Sequence, residues 1–366
     1  MKVLILNCAD MWGGGEVLTL GLARGLLDMG VDAHLGCNPD TIILKKAQEK
    51  KIPVITIPMR TSKDLAAIFN LRKIIKEEKF TIVHAQTMRD HILGAAAARL
   101  LKGVMAIRTQ HIHFPEVHQF FLRIVYNKWT NMTICPSHYI RKNLENHSVN
   151  PAKVTVRNYG IDLRKYEYDR NLPSFREEMG FSDSNILIGC IGRLIKDKGQ
   201  DFVIKAMPEV FEKFPSAKLV LVGSGEEREC FENIAKNLEI SDKVIFTGIR
   251  HDIPRILDSL DVALVPSVWN DPCPISVLEA MYAEVPLIAT RVGGIPEEID
   301  DGVTGVIVPP GDAEAIEKSI LKLLDSPDKA KEMAKSARQK VIENFTLEGM
   351  CKSALDVYGM GRMEVG

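Results

Sequence analysis

One pattern runs through this sequence from end to end. Short, almost wholly apolar runs alternate with longer stretches of helical periodicity. The first series of runs is Val3–Leu6, Val31–Leu35, Val54–Ile57, Thr81–Val83, Val104–Ile107, Met132–Ile134 and Val154–Val156. Near-continuous apolar runs of this length mark strands covered on both faces, which is the signature of a parallel sheet. Between them, Glu16–Met29 places Val17, Leu20, Leu22, Ala23, Leu26 and Leu27 on a helical stripe, and residues 63–78 and 89–101 repeat the pattern. The stretch Leu163–Ser184 is polar, carries Tyr166, Tyr168, Pro173 and Ser174, and reads as an interdomain linker. A second series then follows: Ile186–Ile191, Lys218–Val222, Val244–Thr247, Val262–Val265, Pro286–Ala289 and Gly305–Val308. Helices are expected between these at about 200–213, 227–237, 252–260, 276–283, 313–324 and 328–343.

Strand–helix alternation builds parallel sheets through right-handed crossovers. A chain of 366 residues exceeds one compact core. The expected class is therefore α/β, with two Rossmann-like domains facing each other across a cleft. Their expected limits are residues 1–165 and 166–345, with a helix in 346–366 returning to the first domain. The net charge of −1 hides a split, because residues 1–160 hold 22 Lys and Arg against 12 Asp and Glu, while residues 161–366 hold 25 against 36. The basic half points to an anionic or membrane-borne partner, and the neutral total argues against nucleic acid. Seven scattered cysteines without a C-x-x-C pair argue against a disulfide framework or zinc ribbon and for a reducing, cytoplasmic setting. No apolar stretch approaches the ~20 residues of a membrane span, so any membrane contact is expected to be peripheral.

Ligands of open α/β sheets bind beyond the carboxyl ends of the strands. The chemistry-bearing residues lie there. Gly13-Gly14-Gly15-Glu16 follows the first strand and opens a helix, without the G-x-G-x-x-G spacing of a dinucleotide fingerprint. Arg193 and Lys198 sit on the loop after Ile186–Ile191, where a fixed cation pair suits a diphosphate. Gly223-Ser224-Gly225 follows the next strand. Asp271 precedes Pro272-Cys273-Pro274, and Glu279 lies eight positions on, within the apolar surroundings Val277, Leu278, Ala280 and Met281. Carboxylates suit vicinal hydroxyls of a sugar or ribose, and the amides of Ile275, Ser276 and Val277 suit phosphate. Gly293-Gly294-Ile295-Pro296-Glu297 makes another turn into a helix.

Taken in order, the Gly-Gly-Gly-Glu loop, Gly192-Arg193-Leu194…Lys198-Gly199, Val222-Gly223-Ser224-Gly225, Leu278-Glu279-Ala280-Met281 and Gly293-Gly294-Ile295-Pro296-Glu297 resemble a family 4 (group 1) glycosyltransferase of the GT-B fold. The resemblance spans nearly the whole chain. It implies a retaining transfer from a nucleotide-diphosphate sugar, UDP- or GDP-linked, to a glycan or lipid-linked acceptor in polysaccharide or lipopolysaccharide synthesis. It implies donor binding by the second domain and acceptor binding by the first. The implied reacting-site residues are His111, Asp271, Arg193 and Lys198. The implied donor-binding residues are Gly14, Gly15, Gly223, Arg250, Ile275, Ser276, Val277 and Glu279. No metal or further cofactor is expected, since no D-x-D occurs anywhere in the chain. Three positions depart from the family pattern: Asp271 in place of Glu, Pro274 in place of Gly, and Glu284 where a glycine usually ends the helix.

Two other readings stay open at this level, a sugar-nucleotide epimerase on a similar plan and a sugar-binding protein without chemistry. The cation pair and the two carboxylates favour a bound nucleotide sugar over the last. The basic first domain favours a separate acceptor over the epimerase.

Overall fold

The computed structural model describes residues 1–114, 119–168 and 173–365. The chain divides into two compact units, Met1–Asp162 with Thr346–Gly366, and Leu163–Phe345.

The first unit carries a seven-stranded parallel sheet. Its strands are β1 (Lys2–Leu6), β2 (Asp32–Cys37), β3 (Val54–Thr56), β4 (Ile82–Ala85), β5 (Met105–Thr109), β6 (Met132–Cys135) and β7 (Val154–Val156), in the order β3-β2-β1-β4-β5-β6-β7. Side chains alternate across β1 and feed two different cores. Leu4 and Leu6 join Leu71, Leu93 and Tyr126 on one face. Val3 and Ile5 join Leu20, Leu26 and the C-terminal residues Cys351, Val357 and Tyr358 on the other. Both faces are dry, which is why the strands read as unbroken apolar runs. Fully burying each such aliphatic side chain stabilises the unit by about 1.5–3 kcal/mol. The final helix, Leu347–Val365, packs on the helix Gly14–Asp28, and the Tyr358 hydroxyl lies 2.7 Å from His84 Nδ1.

The second unit carries a six-stranded parallel sheet of β8 (Ile186–Ile191), β9 (Ala217–Val222), β10 (Val244–Gly248), β11 (Val262–Val265), β12 (Leu287–Thr290) and β13 (Val306–Val308). Its order is β10-β9-β8-β11-β12-β13. The helix Gln200–Lys213 lays Val203, Ile204, Met207 and Val210 against Ile188, Cys190 and Leu219. The two parallel sheets, with helices between successive strands, bear out the expected α/β class.

The segment read as a linker is structured where it is described. Leu163–Tyr166 forms a 3-10 turn, and Phe175–Met179 is a helix with a Ser174/Glu177 capping box and Gly180 in the left-handed conformation. Its polarity comes from that short capped helix, whose buried residue is Phe175. Residues 169–172 of the segment lie outside the described residues. No helix of the described residues is long and apolar enough to cross a membrane.

Candidate functional site

In each sheet the strand order reverses direction between two neighbours: β1 and β4 in the first unit, β8 and β11 in the second. Loops leaving such a pair diverge and open a crevice at the carboxyl edge of the sheet. The residues singled out in the sequence fall on these loops or beside them.

In the second unit the loop after β8 runs through Arg193 to a 3-10 turn, Lys196–Lys198, and then into the helix Gln200–Lys213. Arg193 is exposed and makes no ion pair among the described residues. Lys198 reaches across to the loop after β11, where its Nζ lies 2.5 Å from Asp271 Oδ2. The Ser267 hydroxyl donates to the same oxygen at 2.6 Å. Asp271 is 6% exposed, so its charge is held by a cation and a hydroxyl rather than by water. Sequence reasoning gave Lys198 and Asp271 separate tasks; their spacing along the chain carries no signal of the pair.

Close backbone approach fixes these loops. Gly293 has φ +60, and a Cβ there would lie 1.9 Å from the Asp271 carbonyl oxygen; the Gly294 amide donates to that carbonyl at 3.0 Å. Gly223 has φ +138, and its Cβ would lie 2.0 Å from the Gly192 carbonyl oxygen. The glycine after β9 therefore seats the loop that carries Arg193, a packing task alongside the donor-binding one expected of it.

The helix Ile275–Tyr282 follows, with Pro274 as its N-cap. The amide of Val277, expected at a phosphate, donates instead to the Pro274 carbonyl at 3.0 Å. The Ile275 and Ser276 amides make no hydrogen bond among the described residues, as befits the first positions of a helix. Glu279 lies on the second turn, half-buried. Burial raises its carboxyl to about 7, an effect that Lys165 on the 3-10 turn opposes. Arg250 is engaged by its own unit: its guanidinium donates to Glu178 at 2.6 and 3.0 Å and to Asp252 at 2.7 and 2.9 Å.

In the first unit the corresponding loops are clamped differently. Gly13 is extended, and Gly14 and Gly15 open the helix Gly14–Asp28, with nothing within 4 Å of a Cβ built on Gly15. Asp90, fully buried, accepts from the amides of Cys8 (3.0 Å), Gln86 (3.0 Å) and Thr87 (2.9 Å) and from the Thr87 hydroxyl (2.8 Å). It thus ties the loop after β1 to the loop after β4. The sequence signal was present: Thr87 and Asp90 have the spacing of a capping box. Arg108, 1% exposed on β5, donates through Nε to Gln110 Oε1 at 3.2 Å and leaves Nη1 without a partner.

His111 sits beyond β5 with both ring nitrogens taken, Nδ1 by the Tyr159 hydroxyl and Nε2 by Gln86 Oε1 at 2.9 Å. Burial, then the Arg108 charge, pushes its pKa down to about 3, and His84 is lowered to about 3 by the same causes. Both are neutral near pH 7. The adjoining cavity, lined by His84, Gln86, His111 and Tyr159, holds about 30 Å³, room for a water rather than a sugar ring. Among the described residues no cluster of His, Cys, Asp or Glu has the geometry to hold a metal.

Known proteins match along nearly the full length. The model of the family described as Glycosyltransferase Family 4 matches residues 12–165, and that of Glycosyl transferases group 1 matches residues 173–340. The UDP-Gal:alpha-D-GlcNAc-diphosphoundecaprenol alpha-1,3-galactosyltransferase of Escherichia coli is 26% identical over 84% of this chain and 82% of its own length. The N-acetyl-alpha-D-glucosaminyl L-malate synthase of Bacillus anthracis is 26% identical over 98% of this chain and 97% of its own. The crystal structure of Anabaena Alr3699/HepE in complex with UDP-glucose covers 98% of this chain and 100% of that one at a TM-score of 0.87 and 22% identity, a likeness of fold.

Proposed function

This chain belongs to family 4 (group 1) of the glycosyltransferases, with the GT-B fold, and we propose that it is a retaining enzyme moving a sugar from a UDP- or GDP-sugar to a glycan or lipid-linked acceptor. One observation carries the reading: at the β8/β11 reversal, an exposed Arg193, a Lys198–Asp271 pair and the lone carboxyl of Glu279 share one sheet edge. Cations suit the diphosphate, Glu279 the ribose hydroxyls, and Asp271 the transferred sugar. The unpartnered amides of Ile275 and Ser276 add donors for phosphate or sugar oxygens.

The bond from the anomeric carbon to the diphosphate oxygen breaks with its electron pair going to the diphosphate. Arg193 and Lys198 stabilise that charge. The acceptor oxygen bonds to the anomeric carbon on the same face, and its proton passes to the departing phosphate. His111, neutral and held on both nitrogens, orients rather than exchanges protons. The two relatives named above act, by their names, on a galactosyl and a glucosaminyl group, so the donor sugar is left to experiment. The enzyme needs no metal on this reading, because fixed cations perform the charge stabilisation.

The acceptor side is the basic first unit, at the inner face of an anionic membrane. Its helix Leu65–Glu77 exposes Leu65, Phe69, Arg72, Lys73 and Lys76 at helical spacing, and Phe120 and Phe121 are exposed beside Arg123 on Gln119–Ile124. Incubation with UDP-glucose, UDP-galactose, UDP-N-acetylglucosamine and GDP-mannose, with and without a membrane lipid extract, tests the proposal. Nucleoside diphosphate released only when donor and extract are both present supports it. A new sugar nucleotide without acceptor supports an epimerase in its place.

A further inference from the structure

The loops after β11 and β12 are joined twice. The first link is the Gly294 amide on the Asp271 carbonyl. The second is a side-chain link: the Cys273 thiol donates to Glu298 Oε1 at 2.8 Å. Glu298 closes the short helix Ile295–Glu298 and is 2% exposed, and its Oε2 is buried without any partner. No cation lies within ion-pairing distance of it among the described residues. A carboxylate in that position would be shielded from bulk solvent with one thiol hydrogen bond in return, a costly arrangement in a protein interior. A carboxylic acid needs far less, since its carbonyl oxygen accepts from the thiol and its other oxygen carries the proton. Burial accordingly raises its pKa well above the ordinary range; nearby Asp271 and Glu297 push the same way, while the Cys273 hydrogen bond and the more distant Lys340 oppose them.

Resting on the donor-site reading above, we propose that Glu298 is a positioning residue for Asp271: a neutral acid that holds the Asp271–Pro274 loop through the Cys273 thiol and leaves Asp271 as the single negative charge facing Lys198. Lys198 supplies one positive charge, and Asp271 already takes it at 2.5 Å. A second carboxylate under the same loop would repel Asp271. The proton on Glu298 removes this conflict and gives the loop a fixed post. A wholly apolar post at 298 would remove this side-chain tether and leave the Gly294 amide on the Asp271 carbonyl to join the two loops.

The experiment compares Glu298→Gln, Glu298→Leu and Cys273→Ala with Asp271→Asn in the full chain. Binding of UDP, GDP and the donor panel is measured by calorimetry, and transfer over pH 6–10. Glutamine keeps both the acceptor and a neutral donor, so Glu298→Gln is expected to keep near-normal transfer and to hold it further into alkaline pH than the native enzyme. Glu298→Leu and Cys273→Ala are each expected to lower kcat/KM for the donor about 5-fold, the loss of one hydrogen bond, with UDP or GDP affinity within about twofold of native. The proposal is overturned if glutamine loses as much as leucine, if leucine changes nothing, or if leucine weakens the bare nucleotide as much as the sugar nucleotide. Asp271→Asn separates the two levels: if it too leaves transfer intact, the donor-site reading has failed, not merely the role of Glu298.

Discussion

The two units solve the same topological problem with different chemistry. Each must bridge a pair of loops that diverge where the strand order reverses, and each uses one buried aspartate. In the first unit Asp90 bonds to backbone amides on both loops. Those amides belong to the loops themselves, so the clamp fixes a shape. In the second unit Asp271 bonds to the end of a lysine side chain. Lysine is a flexible point charge, so this clamp rests on a side chain rather than on backbone. A backbone clamp builds a rigid wall; a side-chain clamp leaves the cation on a flexible stem, as the proposed diphosphate site requires. The titrating groups follow the same division. The first unit keeps His84 and His111 neutral around a buried Arg108, whereas the second holds Glu279 near 7, where it is half-ionised at neutral pH.

The comparison breaks first if the cations of the second unit do not matter to the reaction. Arg193→Ala and Lys198→Ala are each expected to slow transfer about 30- to 1000-fold, the equivalent of 2–4 kcal/mol of transition-state stabilisation. Turnover near the native value in both would remove the diphosphate clamp. Next comes the rigid wall. Asp90→Ala strands the buried amides of Cys8 and Gln86 and the half-buried amide of Thr87, and is expected to cost about 3 kcal/mol of stability, read as a lower denaturant midpoint. Asp271→Asn, by contrast, should shift that midpoint little, because Ser267 still donates to the remaining oxygen. Equal losses of stability would erase the distinction between the two clamps.

The titration of Glu279 sharpens it further. On the proposed reading a ribose diol donates to the carboxylate, so binding draws on the ionised form. Protonation through a pKa of about 7 should make UDP or GDP affinity about tenfold weaker at pH 6 than at pH 8. Calorimetry at the two pH values decides this, and a flat profile would detach Glu279 from the ribose. Smallest is the membrane effect, about 1 kcal/mol for each basic residue at an anionic surface. Liposome flotation should recover more protein with anionic than neutral lipid at low salt, and less of it after Phe69→Ser with Lys73→Ser. Equal recovery with both lipids would favour an acceptor in solution.

Much of this was legible in the sequence, and the exceptions have physical reasons. Strands buried on both faces declare themselves, so β8 and β11 were located to the residue at Ile186–Ile191 and Val262–Val265. The glycine pattern even marked position 284, where Glu284 stands at φ +56 in a conformation glycine adopts without strain. Short helices such as Ile42–Glu49 and His138–Asn146 escaped, because each buries only two residues amid charged and polar neighbours and shows no stripe. The Leu163–Ser184 stretch hid its short helix Phe175–Met179, because capping residues and turn residues are the same polar types. At the site, residue types and loops were readable and partnerships were not. Nothing in sequence pairs Lys198 with Asp271 or Cys273 with Glu298, since those contacts cross from one strand-end loop to another. His111 was found, but its occupation by Tyr159 and Gln86, contributed by two distant loops, appears only in three dimensions.

The most direct test of the central claim is calorimetry of UDP and GDP binding to the native chain, Glu279→Gln and Asp271→Asn, with sugar transfer assayed on the same samples. Glu279→Gln is expected to weaken the preferred nucleotide about tenfold or more, while Asp271→Asn leaves it within about twofold and loses transfer. Equal losses of nucleotide affinity in both variants would contradict the division of the β8/β11 edge into a ribose carboxyl and a sugar carboxyl.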